Sequence, residues 1–369
     1  MNRGFLLAIT VLAGTIVGAG MFALPYLVSR LGLVLGFFYL FFFAAVYFAI
    51  HLMYARVVAV EPGKHQFFYF ARIYLKKPLA IFASWSILLE LLFVLTIYLI
   101  LAPVFLRLVW PDAGLGVLFI FWFVGSAFVL LDLRWLGLSE FIGALGILII
   151  IFIVFFVSFP KPLLTPFGQS LDWSLFFLPF GPILFALAGR PAISKVVEEW
   201  RRSRAANQSF SLGKAVFFGT FIPAFIYTLF IIGVLKLNPG VSPEAVNSLG
   251  FLSPALLAGL GLAGLLAILT SYFVIAVNVK EIMQLDLGLG KTASVLVASL
   301  GPLFLYFAGF KDFLSALVFT GGIFLALEGI FVVKMWRRAF PKNPWRWFGW
   351  PLYLVFGVAL GYTVFNTFL

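Results

Sequence analysis

Two short stretches of this chain contain helix-breaking residues, whose small side chains leave main-chain polar groups accessible to a ligand. "GTIVGAGMFALP", residues 14–25, places Gly18, Ala19 and Gly20 in the middle of a long apolar segment. "FALAGRPAISKVVEE", residues 185–199, is interrupted at 189–191 by Gly-Arg-Pro. Each glycine inside a helix costs about 1 kcal/mol, so we expect two interrupted helices. Their half-helices would leave main-chain carbonyl and N–H groups without helical partners.

Each interruption has its own supporting pattern. Pro191 suits the first turn of a second half-helix, because the N–H that proline lacks has no intrahelical partner there. Gly14 and Gly18 form G-x-x-x-G, for which close packing against a neighbouring helix is the alternative interpretation. Both interpretations of the first stretch stay open on sequence alone.

A set of small and hydroxyl residues occurs in "AILTSYF", residues 267–273. Ala267, Thr270 and Ser271 lie on one helical face at A-x-x-T-S spacing. Two hydroxyls and a carbonyl on one face can bind a small hard cation. The alternative is that both hydroxyls bond to their own helix backbone, as membrane hydroxyls often do.

Three ionisable residues lie inside apolar segments, where a charge is costly and normally has a partner. We expect Glu90 and Arg190 to form a buried ion pair that braces two helices. The alternatives are that Glu90 is a protonatable coupling site, or that Arg190 faces a substrate. Glu328 is placed to reach cytoplasmic water or a gate residue.

The amino-acid composition indicates the class of protein in which these residues lie. Of 369 residues, 64% are hydrophobic and only 10% are charged, which is typical of a polytopic membrane protein. The net charge of +12 lies in short loops between apolar runs, so it indicates membrane orientation and not nucleic-acid binding. The absence of cysteine excludes disulfides and thiolate chemistry. No convincing catalytic cluster of Asp, Glu or His occurs, so we expect no enzyme and no cofactor.

Eleven apolar segments are long enough to cross a bilayer, at about 20 residues each. They are residues 4–30, 33–58, 79–107, 114–131, 136–159, 174–197, 213–236, 251–279, 292–308, 313–336 and 348–368. If the N-terminus is cytoplasmic, 19 Lys and Arg fall on the inner side and five on the outer side. This asymmetry predicts a multi-pass plasma-membrane protein with its N-terminus inside and its C-terminus outside.

The two interrupted stretches and the eleven-span plan resemble amino acid permeases of the amino acid–polyamine–organocation superfamily, in its amino acid/auxin and hydroxy/aromatic amino acid permease branches. The resemblance implies an all-α membrane protein with a LeuT-like fold, in which spans 1 and 6 are broken and two five-helix repeats are inverted. We expect the first repeat at residues 1–160, the second at 173–338 and an additional helix 11 at 345–369.

The resemblance also implies the binding residues. The substrate carboxylate would meet N–H groups at the start of the second half of span 1, and the ammonium would meet carbonyls that end the first halves. The substrate residues implied are Thr15, Ile16, Gly18, Ala19, Gly20, Met21, Phe185, Ala188, Gly189 and Arg190. The sodium ligands implied are Gly14, Val17, Ala267, Thr270 and Ser271.

The function predicted is secondary active amino acid transport, coupled to sodium and working by alternating access. Sodium is favoured because proton-coupled relatives often carry a lysine in span 5, and residues 136–156 contain none. A proton-coupled permease and a nontransporting amino acid sensor are the alternatives. The expected partners are an amino acid, sodium or protons, and the lipid bilayer, with the protein as a monomer.

Overall fold

The computed structural model describes residues 3–63, 65–114, 116–130, 136–163 and 175–368. Every regular element in this part of the chain is a helix. The α-helices are α1 Arg3–Ile16, α2 Leu24–Leu31, α3 Leu33–Val60, α4 Phe67–Tyr74, α5 Lys77–Val109, α6 Gly116–Leu130, α7 Leu136–Ser158, α8 Phe180–Ala186, α9 Arg190–Ala205, α10 Leu212–Leu237, α11 Pro254–Glu281, α12 Lys291–Phe307, α13 Phe313–Phe319, α14 Ala326–Ala339 and α15 Gly349–Phe368. Short 3₁₀ segments occur at Ala19–Ala23, Val246–Leu249 and Pro344–Phe348, and π-helical turns at Ile282–Asp286 and Thr320–Leu325.

The described helices are those of an integral, multi-pass membrane protein. Seven are long and apolar enough to cross a bilayer, and the bent pair at the N-terminus would make an eighth span. Three shorter apolar helices lie at Gly116–Ala127, Ile142–Ser158 and Lys291–Phe307. These elements coincide with the predicted segments, except that the ends of segments 114–131 and 174–197 lie outside the described residues.

The first long apolar segment is interrupted where its glycines predict. Helix α1 ends at Ile16, and the chain continues through Gly18 in an extended conformation, with φ −149° and ψ −165°. The 3₁₀ segment Ala19–Ala23 then leads into α2, and the two halves are inclined by 51°. Pro25 lies in the first turn of α2, where its missing N–H leaves no helical acceptor unsatisfied.

The second interruption separates α8 from α9. Helix α8 ends at Ala186, and α9 begins at Arg190 with Pro191 in its first turn. Gly189 precedes α9 with φ −144° and ψ 9°. Residues 187–189 thus separate the two helices, and the Gly-Arg-Pro sequence marks the start of the second.

The long helices pack in two groups. Helices α1 and α3 both pack against α9 and α10, and we call these four helices the bundle group. Helices α5, α6, α11 and α12 form the scaffold group. Helix α7 touches α10 of one group and α11 of the other, so it lies at the boundary between them.

Helix α4 is a short element between α3 and α5 that packs against α5 and α14. Its last residue, Tyr74, donates a hydrogen bond to Glu61 Oε1 at 2.7 Å. Partial burial, followed by this hydrogen bond, raises the pKa of Tyr74 to about 12. The phenol therefore stays protonated and holds α4 to the end of α3.

Candidate functional site

A cavity of about 490 Å³ opens beside the break of the first segment. Its volume is within the range of small-molecule sites. It is lined by residues of α1, α5, α7, α10 and α11, together with the two residues after α1. The lining residues are Leu7, Thr10, Val11, Ala13, Gly14, Thr15, Val17, Gly18, Tyr98, Gly143, Ala144, Leu148, Ile226, Ser271, Val274 and Ile275.

The cavity brings together some of the residues expected to bind substrate or cation. Gly14, Thr15, Val17 and Gly18 border it from the first segment, and Ser271 borders it from α11. The other expected residues are not part of its lining. The remaining substrate residues lie at or beside the two helix breaks, whereas Ala267 and Thr270 lie on α11.

Gly20 lies at the first helix break and has little space beside it. A Cβ atom at Gly20 would lie 2.6 Å from Ala186 Cα and 2.9 Å from Phe185 Cδ1. The expectation that Gly20 leaves room for a ligand is therefore wrong for this conformation, because the end of α8 fills that room. Gly20 instead permits the two breaks to approach each other.

The neighbouring residues are equally enclosed. Ala19 and Met21 are buried, and the Met21 N–H donates to the Gly18 carbonyl at 3.3 Å. A Cβ atom at Gly189 would lie 2.6 Å from Ile16 Cγ1. Small residues at both breaks thus allow close packing, of Gly20 against the main chain of Ala186 and of Gly189 against the side chain of Ile16.

The carbonyl groups that end α1 and α8 share one donor. The hydroxyl of Tyr227, a completely buried residue of α10, lies 2.6 Å from Ile16 O and 2.9 Å from Ala186 O. Sequence analysis did not identify Tyr227, because a single tyrosine in an apolar helix forms no motif. Tyr98 of α5, which lines the cavity, lies next to Tyr227.

The expected cation ligands on α11 are divided between two environments. The Thr270 hydroxyl donates to the carbonyls of Leu266 at 2.9 Å and Ala267 at 3.0 Å. It faces α7, where a Cβ atom at Gly143 would lie 2.5 Å from Thr270 Oγ1. Thr270 thus adopts the intrahelical hydrogen bond that the sequence left open as an alternative, whereas Ser271 borders the cavity.

The three intramembrane charges form one cluster on α5, α9 and α14. Arg190 Nη2 lies 3.9 Å from Glu90 Oε1, and Arg190 Nε donates to Glu328 Oε2. The guanidinium also stacks over Phe67 of α4, with its carbon 5.0 Å from the ring centre. Glu328 is only 2% exposed, so the expectation that it reaches cytoplasmic water is wrong: Arg190 holds it in the interior.

Aromatic rings close the space on the other side of the first break. Phe22 contacts Phe105 of α5 and Phe230 of α10, with ring centres 5.1 and 5.8 Å apart. All three rings are completely buried. We call these three residues the aromatic seal. The cavity therefore lies on one side of the break, and packed rings lie on the other.

The helical architecture, with an interrupted first segment beside a cavity and a second interruption packed against it, is that of the LeuT-like fold. The structure is similar to that of MhsT in complex with L-phenylalanine, with a TM-score of 0.65 and 15% identity over 100% of this chain and 99% of that chain. It is also similar to that of MHP1, a nucleobase-cation-symport-1 family transporter in a closed conformation with bromovinylhydantoin bound. That comparison has a TM-score of 0.60 and 13% identity over 98% of this chain and 91% of that chain.

The chain belongs to the transmembrane amino acid transporter family, whose model matches residues 1–360. None of the curated proteins compared matches it in sequence. The predicted resemblance to permeases of the amino acid–polyamine–organocation superfamily is confirmed. The family and its fold neighbours are transporters and not enzymes, as the sequence predicts.

Proposed function

We propose that the protein is a secondary active amino acid transporter that works by alternating access around the two helix breaks. The observation that carries this proposal is the asymmetry about the first break. A cavity extends from Leu7 to Gly18 on one side, and the aromatic seal lies on the other. With the N-terminus cytoplasmic, the cavity is the inward-facing pathway and the aromatic seal closes the outward-facing one.

The two helix groups provide the moving parts of this mechanism. We propose that eleven spans form two inverted repeats, at residues 1–160 and 173–338, with helix 11 at 345–369. The bundle group would rock against the scaffold group, which would close the cavity and separate Phe22 from Phe105. Substrate and cation drive this change only through different affinities for the two states.

The substrate we propose is a neutral amino acid with an apolar side chain. Apolar residues such as Leu148, Ile226 and Val274 dominate the cavity lining. Arg190, which could attract an acidic side chain, is instead engaged by two carboxylates. MhsT, which shares the fold, holds L-phenylalanine.

We propose sodium as the coupling ion, bound between α1 and α11. Gly14, Val17 and Ser271 border the same cavity, which supports a site to which all three contribute. Ala267 and Thr270 lie beside them on α11 and would complete it. The Thr270 hydroxyl would then rotate away from its own helix carbonyls, while uncharged oxygens suit a hard monovalent ion.

Proton coupling is the second candidate, and the Glu90–Arg190–Glu328 cluster favours it. With both carboxyl groups ionised, the cluster carries a net charge of −1 in a buried place. Both carboxyl groups share the guanidinium of Arg190, and Glu90 Oε2 is buried without a hydrogen-bond partner among the described residues. A proton on one carboxyl group would remove the repulsion between two buried negative charges. Tyr47 and Tyr54 of α3 are the other titratable groups that face the cluster.

The test is uptake of a panel of twenty radiolabelled amino acids into proteoliposomes, under an inward sodium gradient or an inward proton gradient. Sodium-driven accumulation should fall at least tenfold in Ser271→Ala and in Thr270→Ala, while folded yield is retained. Thr228→Ala is the matched control, since its hydroxyl also bonds only to its own helix, at Ala224 O. It should transport normally.

The outcomes separate the proposals. Proton-driven accumulation that is lost in Glu90→Gln or Glu328→Gln would replace the sodium assignment with the buried cluster. Binding of an amino acid without uptake under either gradient would indicate a sensor. Absence of both binding and uptake for every member of the panel would contradict the proposed function itself.

A further inference from the structure

The hydroxyl of Tyr227 connects the two helix breaks. It lies 2.6 Å from the carbonyl oxygen of Ile16, the last residue of α1, and 2.9 Å from that of Ala186, the last residue of α8. The two carbonyls come from residues that are 170 positions apart in sequence. A single side chain on a third helix, α10, therefore bonds both ends.

This arrangement has fewer hydrogen-bond donors than acceptors. A tyrosine hydroxyl has one hydrogen to donate, whereas Ile16 O and Ala186 O are both acceptors. The Gly18 N–H also faces the Tyr227 oxygen, but as a donor it cannot satisfy either carbonyl. One buried carbonyl is thus underbonded at any moment, at a cost. A group with several N–H donors would satisfy both carbonyls together, and an ammonium has three.

The cavity reaches neighbours of this place, although Ile16, Ala186 and Tyr227 themselves are not in its lining. Gly18 and Tyr98 line it, and Tyr98 lies next to Tyr227. A ligand seated at Gly18 would thus have the two carbonyls and the Tyr227 oxygen directly beyond it. The surrounding residues Ile16, Ala186 and Tyr227 are buried and carry no ionised side chain, so an arriving ammonium would meet only dipoles.

We propose that the Tyr227 hydroxyl is a built-in substitute for the ammonium group of the substrate. In the empty carrier it donates to one of the two carbonyls at a time and so links the two breaks. A bound ammonium donates to both carbonyls and displaces the Tyr227 hydroxyl from them. Tyr227 is in this way a specificity-determining residue, because ligands without an ammonium cannot replace its donor. The inference rests on the proposed function. It adds that the Tyr227 hydroxyl competes with the substrate ammonium for the same two carbonyls.

The consequence is that removing the hydroxyl should strengthen binding. In Tyr227→Phe the empty state has two buried carbonyls without a donor, whereas the bound state still has the ammonium. We expect the Kd of the tightest-binding amino acid of the panel to fall about fivefold, as for one net hydrogen bond. The Tm of the empty variant should fall, and the rise in Tm on adding this amino acid should exceed that of the wild type.

The measurement is equilibrium binding and thermal unfolding of the purified full-length protein in nanodiscs. Tyr227→Met is a second variant without a hydroxyl, for use if Tyr227→Phe does not fold. Tyr272→Phe is the matched control, since this buried tyrosine of α11 packs against Gly125 and Phe121 of α6. The Kd of this variant should not change. The deaminated analogue of the same amino acid is the second probe, and its affinity should not improve in either Tyr227 variant.

Unchanged or weaker amino acid binding in both Tyr227 variants would overturn this inference. Equal improvement for the deaminated analogue would also overturn it, because the gain would then not depend on the ammonium. Neither result would affect the proposed function, which is tested separately by amino acid binding and uptake with the wild type.

Discussion

Arg190 lies between two carboxylates in a part of the protein that contains few other charges. Glu90 and Glu328 reach it from α5 and α14, and all three side chains are at most 8% exposed. Buried ion pairs contribute little net stability over apolar residues of similar size, but removal of one partner leaves a charge that nothing compensates. The contribution of Arg190 to stability therefore depends on its two acidic partners being present.

Arg190→Met should lower the free energy of unfolding by about 3–5 kcal/mol, because it leaves two buried carboxylates without a cation. The triple variant Arg190→Met, Glu90→Gln, Glu328→Gln should regain most of this loss. Chemical unfolding in mixed micelles measures both. If the single and triple variants are equally unstable, the cluster is not held by charge pairing.

At the residue scale, local chemistry could be predicted and long-range partners could not. Intramembrane charges are few, so a contact between Glu90 and Arg190 could be expected from their number and depth. Glu328 is 138 residues from Arg190, and no sequence pattern relates the two positions. For the same reason the close approach of Gly20 to Ala186 and the role of Tyr227 became visible only in three dimensions.

Helices α3 and α9 of the bundle group are joined by one side chain. Arg201, near the end of α9, donates to the main-chain carbonyls of Val58 at 2.8 Å, Glu61 at 2.5 Å and Gly63 at 3.0 Å. The last carbonyls of a helix have no intrahelical donor and attract a positive charge. Arg201 thereby caps α3 and ties it to α9, as two helices that move together would require.

Arg201→Ala should lower the free energy of unfolding by about 2 kcal/mol, because three carbonyls lose a charged donor. Arg202→Ala is the matched control in the next position. Arg202 is 65% exposed and pairs only with Glu198 and Glu199 of its own helix, and surface pairs of this kind contribute less than about 0.5 kcal/mol. Thermal unfolding of the two variants compares them, and equal effects would contradict a bond between helices.

At the element scale, the sequence predicts where helices break but not how they group. Gly18 and Pro191 act on their own main chain, so the interruptions beside them follow from local preference. The division into bundle and scaffold groups depends on which apolar faces meet. Apolar residues surround most of these helices, and their sequence therefore carries little information about which neighbour each face contacts.

The whole molecule has two sides, and the proposed mechanism depends on which one the cavity opens to. The distribution of Lys and Arg predicts that the N-terminus is cytoplasmic. Because Leu7 and Thr10 lie between the N-terminus and the break, a cavity lined by them would then open inward. The proposed inward-open state therefore depends on the prediction, from the positions of Lys and Arg, that the N-terminus is cytoplasmic.

Single-cysteine variants can test this link directly, since the chain contains no cysteine. Lys342→Cys should react with a membrane-impermeant maleimide only from the cytoplasmic side, and Lys161→Cys only from the outside, as both positions are exposed. Thr10→Cys should react from the same side as Lys342→Cys, because it lines the cavity. Val234→Cys is the buried control and should not react.

Saturating sodium and amino acid should slow the labelling of Thr10→Cys severalfold if the bundle group closes the cavity. Labelling of Thr10→Cys from the outside would reverse the proposed state, and labelling of Lys342→Cys and Lys161→Cys from one side would contradict the eleven-span topology.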